Sequence, residues 1–179
     1  MKKQIQDLLN LSRVGTMAPA FRTVSSEEIL RRAVENLGET IRERSAEVTW
    51  EVMPEIAGDS DMLTQVFQNL VANGIKFNKS AAPVVHISAA LQDSEWVFSV
   101  RDNGIGIEEQ QSSRVFEVFE RLHPANEFPG TGVGLAITHK IVDRHKGRIW
   151  FESKPGEGTI FFFSIPAEAV KSASGGGQG

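Results

Sequence analysis

Asp102-Asn103-Gly104-Ile105-Gly106 and Gly130-Thr131-Gly132-Val133-Gly134-Leu135 are two glycine clusters separated by a polar stretch, and their chemistry suits a nucleotide. An ionised aspartate only accepts hydrogen bonds, so Asp102 calls for a donor such as an exocyclic amine. Gly104 and Gly106 would let the backbone approach a flat ring. Adenine has both properties. Glycines at a helix start expose backbone N–H groups, which together with the helix dipole favour an anion such as a polyphosphate. Asn69, Asn73, Lys76 and Phe77 lie at i, i+4, i+7 and i+8, which puts two amides and an ammonium on one connected side of a helix. Amide oxygens can ligate Mg²⁺ and the ammonium can neutralise phosphate oxygens. Each feature also has a plainer reading. Asp-Asn-Gly is ordinary turn chemistry, a glycine triplet can be a flexible loop with a helix cap, and a row of amides can be a solvated face.

The surrounding elements would have to deliver these groups to one place. Glu95–Arg101 alternates, with β-branched and aromatic residues, and reads as a strand ending at Asp102. Asp61–Phe77 carries the apolar stripe Leu63, Val66, Phe67, Leu70, Val71 and Ile75 and reads as a strong helix. Gly134–His145 reads as a second helix, ended by Gly147. A leading helix to about Arg13 is followed by a linker over 15–23, then by a helix from Ser25 or Ser26 to about Ser45, capped through Glu27 or Glu28. Val48–Val52 is a strand; Val84–Leu91 and Trp96–Val100 form a hairpin; Arg148–Ser153 and Thr159–Ile165 form another. The expected fold class is α+β, a two-layer α/β sandwich in which three helices cover one face of a mixed sheet. Glu108–Pro129 is too long for a plain connection and suits a lid, mobile until a nucleotide orders it. Residues 167–179 read as a disordered tail.

Composition excludes several classes. A chain of 179 residues with 40% hydrophobic content can bury one core. Cysteine is absent, which removes disulfides and thiolate metal sites. A net charge of -4 gives no basic footprint for nucleic acid. No apolar run reaches the roughly 20 residues of a membrane span, and the Lys-rich start lacks a signal-peptide core. These features point to a cytoplasmic domain without membrane contact by this segment.

In order, "QNLVANGIKF", "DNGIGI", "FEVFERL" and "GTGVGLAI" resemble the N, first-glycine, F and second-glycine boxes of the catalytic ATP-binding domain of sensor histidine kinases, which have the Bergerat fold. The resemblance covers about Val24 to Pro166. It implies that Asn73 ligates Mg²⁺, that Asn69 and Lys76 meet the phosphates, and that Phe77 walls the adenine, whose amine Asp102 accepts. It implies that Gly104, Gly106 and Ile107 shape the purine pocket. Gly130, Thr131, Gly132, Val133, Gly134 and Leu135 would form the phosphate-side loop. Phe116 and Phe119 would pack the lid, Arg121 would reach the terminal phosphate, and Thr159 would close the adenine site. Gly74 departs from the alanine usual in that helix, and reads as a stability oddity of about 1 kcal/mol. "RLH" ahead of "EFPGTGVGLAI" resembles the phytochrome-like, PAS-coupled branch.

Hydrolytic members of the gyrase, chaperone and mismatch-repair ATPase superfamily, to which the resembled domain belongs, carry a glutamate one turn before the metal-binding asparagine, and this chain has Asn69 there. An amide cannot act as a general base, so phosphoryl transfer to a histidine is expected in place of rapid hydrolysis. None of His86, His123, His139 and His145 lies in the setting that the family phosphorylates; His86 reads as a strand residue, His139 and His145 as helix-surface residues. "DLLNLSRVG", within 1–14, resembles the end of a second dimerisation helix. The acceptor would precede Met1, so the chain is expected to be a fragment acting in trans, its partners the dimerisation helices of a homodimeric parent kinase and, indirectly, a response regulator. Three other readings compete: a Rossmann domain, whose loop should follow a strand; an anti-sigma-type serine kinase, expected to keep a carboxylate at position 69; and a nucleotide-binding or degenerate interaction module without catalysis.

Overall fold

The computed structural model describes residues 2–167. In chain order it contains α1 (Lys2–Thr16), β1 (Arg22–Ser25), α2 (Ser26–Asn36), α3 (Gly38–Glu43), β2 (Glu47–Trp50), β3 (Glu55–Gly58), α4 (Ser60–Lys76), β4 (Val84–Gln92) and β5 (Glu95–Asp102). A 3-10 helix (Glu109–Arg114), α5 (Gly134–Arg144), β6 (Ile149–Lys154) and β7 (Gly158–Pro166) follow. The expected tail lies outside the described residues except for Ala167.

Alternation builds the main sheet. Five strands lie in the order β2-β4-β5-β7-β6; β2 runs parallel to β4 and the other pairs are antiparallel. One face of β5 and β7 sends Phe98, Val100, Phe161, Phe163 and Ile165 into the core, where they meet the α4 stripe from Leu63 to Ile75. Phe67, Phe98 and Phe163 are fully buried, and Phe67 meets both other rings edge-on, at 5.5 and 5.2 Å between centroids. α4 and α5 lie on the sheet and α2 packs beside α4, giving the helical layer. This is the expected α+β sandwich with a mixed sheet.

Several elements differ from the expectation. The helix expected to run to Ser45 breaks at Leu37, ahead of Gly38, into α2 and α3; glycine weakens a helix interior. Part of the segment read as a linker is ordered. α1 continues to Thr16, and β1 pairs antiparallel with β3 in a separate two-stranded sheet whose strands, four residues each, are too short to show a period. His145 is buried at 4% exposure, not on the helix surface as its sequence position suggested. Its Nδ1 hydrogen-bonds the Ile141 carbonyl at 2.7 Å, and its Nε2 accepts the Asp59 N–H at 3.0 Å, which requires the neutral Nδ1–H tautomer. Burial holds its pKa below the usual range. The ring thus ties the end of α5 to the cap of α4, where Asp59 accepts the Asp61 and Met62 N–H groups.

Gly74 is not a mere oddity. An added Cβ would stand 2.9 Å from Val85 Cγ2 and 3.1 Å from Asp102 Cβ. The missing side chain is what lets α4 approach β4 and the end of β5 this closely, so the loss in helix propensity accompanies a gain in proximity. The two carriers of the site, α4 and Asp102, meet at that contact.

Candidate functional site

Two connected hollows lie between α4, the lid, the glycine loop and the end of the sheet. The larger, about 290 Å³, is lined by Asn69, Asn73, Lys76 and Phe77 from α4, by Arg121 from the lid, and by Gly130, Thr131, Gly132, Gly134 and Leu135. The smaller is lined by Asn73, Phe77, Asp102, Gly106, Ile107, Leu135 and Thr159, among others. Asn73 and Phe77 line both, so the α4 row joins the hollow of the glycine loop to that of the carboxylate at the strand end. Three of the expected residues lie elsewhere. Gly104 sits beneath Asp102, and its N–H donates to Asp102 Oδ1 at 2.8 Å. Val133 caps α5 from inside the core, with no exposure. Phe119 has φ +63 and is 48% exposed, because that left-handed backbone turns its ring away from the lid interior while its N–H bonds the Gly132 carbonyl. Phe116 does pack inward, near Phe151 and Phe161.

Asp102 Oδ1 accepts the backbone N–H groups of Gly104 and Thr159, at 2.8 and 3.2 Å, while Oδ2 has no partner among the described residues. Burial pushes its pKa up to about 6 against the opposing pull of those two N–H donors. One carboxylate oxygen is thus fixed and the other free to accept a donor. Thr159 is buried, and its hydroxyl shares a 2.8 Å hydrogen bond with Ser153.

At the other end the groups are cationic and amide. The Asn73 side chain has no hydrogen-bond partner among the described residues. Asn69 does: its Nδ2 donates to the Gly134 carbonyl at 3.1 Å and to Thr138 Oγ1 at 3.2 Å, which fastens α4 to the first turn of α5. Lys76 Nζ lies 4.6 Å from the Phe77 ring centroid. Burial, and then the charges of Arg121 and Lys3, hold its pKa below the usual range. The Arg121 guanidinium donates to the Phe128 carbonyl at 2.8 Å, bracing the lid. No group of three or more His, Cys, Asp or Glu among the described residues is placed to hold a metal, so a cation here would rely on amide and ligand oxygens.

Four contributors escaped the sequence reading. α1 brings Lys3 and Asp7 to the larger hollow, and Thr131 Oγ1 donates to Asp7 at 2.5 Å. Arg144 binds the Val14 and Met17 carbonyls and so holds α1 against α5. Nothing local signals a contact 124 residues apart. The lid adds His123 and Phe128. The one local signal for His123 is the "RLH" string, which places the ring beside Leu122.

A family model described as histidine kinase-, DNA gyrase B-, and HSP90-like ATPase matches residues 58–169, which span α4, the carboxylate strand, the lid, the glycine loop and the last hairpin. The chain belongs to this ATPase family. Within it, cyanobacterial phytochrome A from Nostoc sp. is 49% identical over 166 residues, 93% of this chain and 22% of that protein. The methanogenesis regulatory histidine kinase FilI from Methanothrix harundinacea is 36% identical over 168 residues, 93% of this chain and 19% of that protein. The crystal structure of full-length ShkA in complex with AMPPNP superposes with a TM-score of 0.79 at 29% identity, covering 93% of this chain and 36% of that one. The chain spans about a fifth of the length of these curated relatives. This ATPase domain is of the kind found in sensor histidine kinases, and no helix among its described residues is long and apolar enough to cross a membrane.

Proposed function

We propose that this domain binds Mg-ATP and donates the γ-phosphoryl group to a histidine on a dimerisation helix outside the chain, as the cytoplasmic catalytic part of a two-component kinase. The observation that carries the reading is the free Asp102 Oδ2 in one hollow and the Lys76 ammonium in the other, with the free Asn73 amide lining both. The residues fit the nucleotide at both ends. Oδ2 would accept the adenine amine, Ile107 and Phe77 would flank the ring, and the glycine loop would present its N–H groups to the phosphates. Lys76 Nζ already stands within 2.1 Å of where a Cβ on Gly130 would be, so the ammonium fills the space that the loop leaves. The Asn73 amide oxygen would hold Mg²⁺, which neutralises phosphate charge during transfer.

Transfer in preference to hydrolysis follows from the groups near the phosphates. Water activation needs a free base. Asn69 is an amide engaged with Gly134 and Thr138, the two carboxylates lining the larger hollow are committed, Asp7 to Thr131 and Glu120 to Arg114, and the one imidazole there, His123, lines the junction with the purine-side hollow and not the glycine loop end alone. The phosphoryl group would therefore await an external imidazole, and α1 would belong to the helix pair that carries it. A response regulator would receive the group next.

Incubating the chain with labelled ATP, Mg²⁺ and a dimerisation-helix fragment bearing a histidine tests this. Label should pass to the fragment, and ATP turnover without it should stay well below about 1 per second, a rate ordinary for enzymes. Asn73→Ala should lower Mg-ATP affinity by about tenfold or more, leaving metal-free nucleotide binding unaltered, since the lost group is an oxygen ligand. ATP binding without any transfer would favour a regulatory nucleotide module instead.

A further inference from the structure

The two hollows meet at a waist formed by the residues that line both: Asn73, Phe77, Leu122, His123 and Leu135. One end offers Asp102 and Thr159 to a purine, and the other offers Lys76 and the glycine loop to phosphates. In a nucleoside triphosphate the group that joins purine to phosphate is the sugar, so the waist is where the ribose falls. Only Asn73 and His123 are polar among its five residues. Asn73 is committed to the metal end in the function proposed above, on which this inference rests. His123 is left to face the sugar.

The carbons of the His123 ring hold it in place. It packs 5.8 Å from Phe77 and 5.3 Å from Phe128, centroid to centroid, and those two rings are 5.3 Å apart. The lid is braced on both sides of it: Gln111 Nε2 donates to the Leu122 carbonyl at 2.9 Å, Arg121 donates to the Phe128 carbonyl, and Lys79 pairs with Glu127 at 2.7 Å. His123 takes part in none of these hydrogen bonds, and neither ring nitrogen has a partner among the described residues. His123 is part-buried, so its nitrogens are open to the hollow and to a ligand in it, whereas those of the buried His145 are satisfied within the protein. Burial lowers the His123 pKa, Glu127 opposing and Lys79 reinforcing, so the ring is neutral at pH 7 and carries one N–H and one lone pair. Vicinal hydroxyls, each able to donate and accept, are the complementary surface.

We propose that His123 is a specificity residue for the ribose of the bound nucleotide, hydrogen-bonding its hydroxyls from the lid. The test is calorimetric titration of the whole chain with Mg-ATP, 2′-deoxy-ATP and 3′-deoxy-ATP, repeated on His123→Phe and His123→Ala. The unaltered chain should prefer ATP over at least one deoxy analogue by about three- to tenfold, the range of a single hydrogen bond. His123→Phe keeps the ring packing and should bind all three equally, at the affinity of the disfavoured analogue, while still rejecting GTP through Asp102. His123→Ala should lose the sugar preference and weaken every nucleotide through a loosened lid. Equal binding of ATP and both deoxy analogues by the unaltered chain, or a sugar preference that survives in His123→Phe, would overturn the proposal. Failure of the unaltered chain to bind ATP at all would remove the nucleotide site itself, so the two readings fail in different ways.

Discussion

Asp102→Asn should cost at least about 100-fold in ATP affinity and at the same time stabilise the free domain at neutral pH, because the same burial drives both effects. The amide oxygen of asparagine can keep the two N–H bonds from Gly104 and Thr159. Its NH₂ then stands where Oδ2 was free, and would meet the adenine amine donor to donor. A purine site with a buried, opposed pair of donors rejects its ligand far more strongly than one that lacks a contact. The stability effect has the opposite sign. Burial raises the Asp102 pKa from 3.8 to about 6, so the folded chain binds the proton more tightly than the unfolded one. Stability contributed by the protonated form is complete below about 3.8 and is lost as pH rises through about 6. At pH 7 the ionised, desolvated carboxylate therefore costs the apo fold on the order of 2–3 kcal/mol. Thermal melts should show the asparagine variant more stable at pH 7.5 and close to the unaltered chain near pH 4. ATP affinity of the unaltered chain should fall as pH drops below about 6, since the protonated carboxyl accepts poorly. An Asp102→Asn variant that melts lower at neutral pH, or binds ATP normally, would show that this carboxyl is not the buried acceptor of the site.

Asp102 and the α4 row were legible in the sequence because their information is local. A helical spacing puts Asn69, Asn73 and Lys76 on one side whatever else happens, and an alternating strand must end somewhere near Asp102. The glycine loop is equally local, since its residues are consecutive. Burial, by contrast, depends on what arrives from elsewhere. Val133 and Phe119 stand among or near site residues in sequence, yet one enters the core and the other turns outward at a positive φ. His145 continues the buried stripe of α5 one turn past Ile141 and Val142, and only its polar ring suggests the surface. It is buried by Asp59 and Phe21, both distant in sequence. Asn69 occupies the position expected for a phosphate contact, and its Nδ2 is spent on joining two helices. Gly74 shows the same limit in energetic terms: the propensity cost is visible in one residue, while the close approach it permits needs Val85 and Asp102.

Gly104→Ala should damage both the fold and nucleotide binding, although Gly104 lines neither hollow. A Cβ there would lie 2.3 Å from the Phe77 carbonyl oxygen and 2.8 Å from Asp102 Oδ1. Neither neighbour can swing aside at low cost. The Phe77 carbonyl is main chain at the end of α4 and accepts the Ile105 N–H at 3.0 Å, and Asp102 Oδ1 is held by two backbone donors. Relief therefore requires separating the end of α4 from the loop after β5, the junction that brings the amide row and the carboxylate together. Overpacking against backbone costs about 3 kcal/mol, which in a domain of this size lowers Tm by roughly 6–12 °C. Gly156→Ala is the internal control. It has φ +80 but nothing within 4 Å of the added Cβ, so it should cost only the left-handed strain of about 1–2 kcal/mol and leave nucleotide affinity unchanged. If paired melts and ATP titrations of the two variants gave equal losses, the contact between Gly104 and the α4 terminus would carry no special weight. A larger loss at Gly104 in both measurements would tie the integrity of the nucleotide cavity to this one backbone crossing.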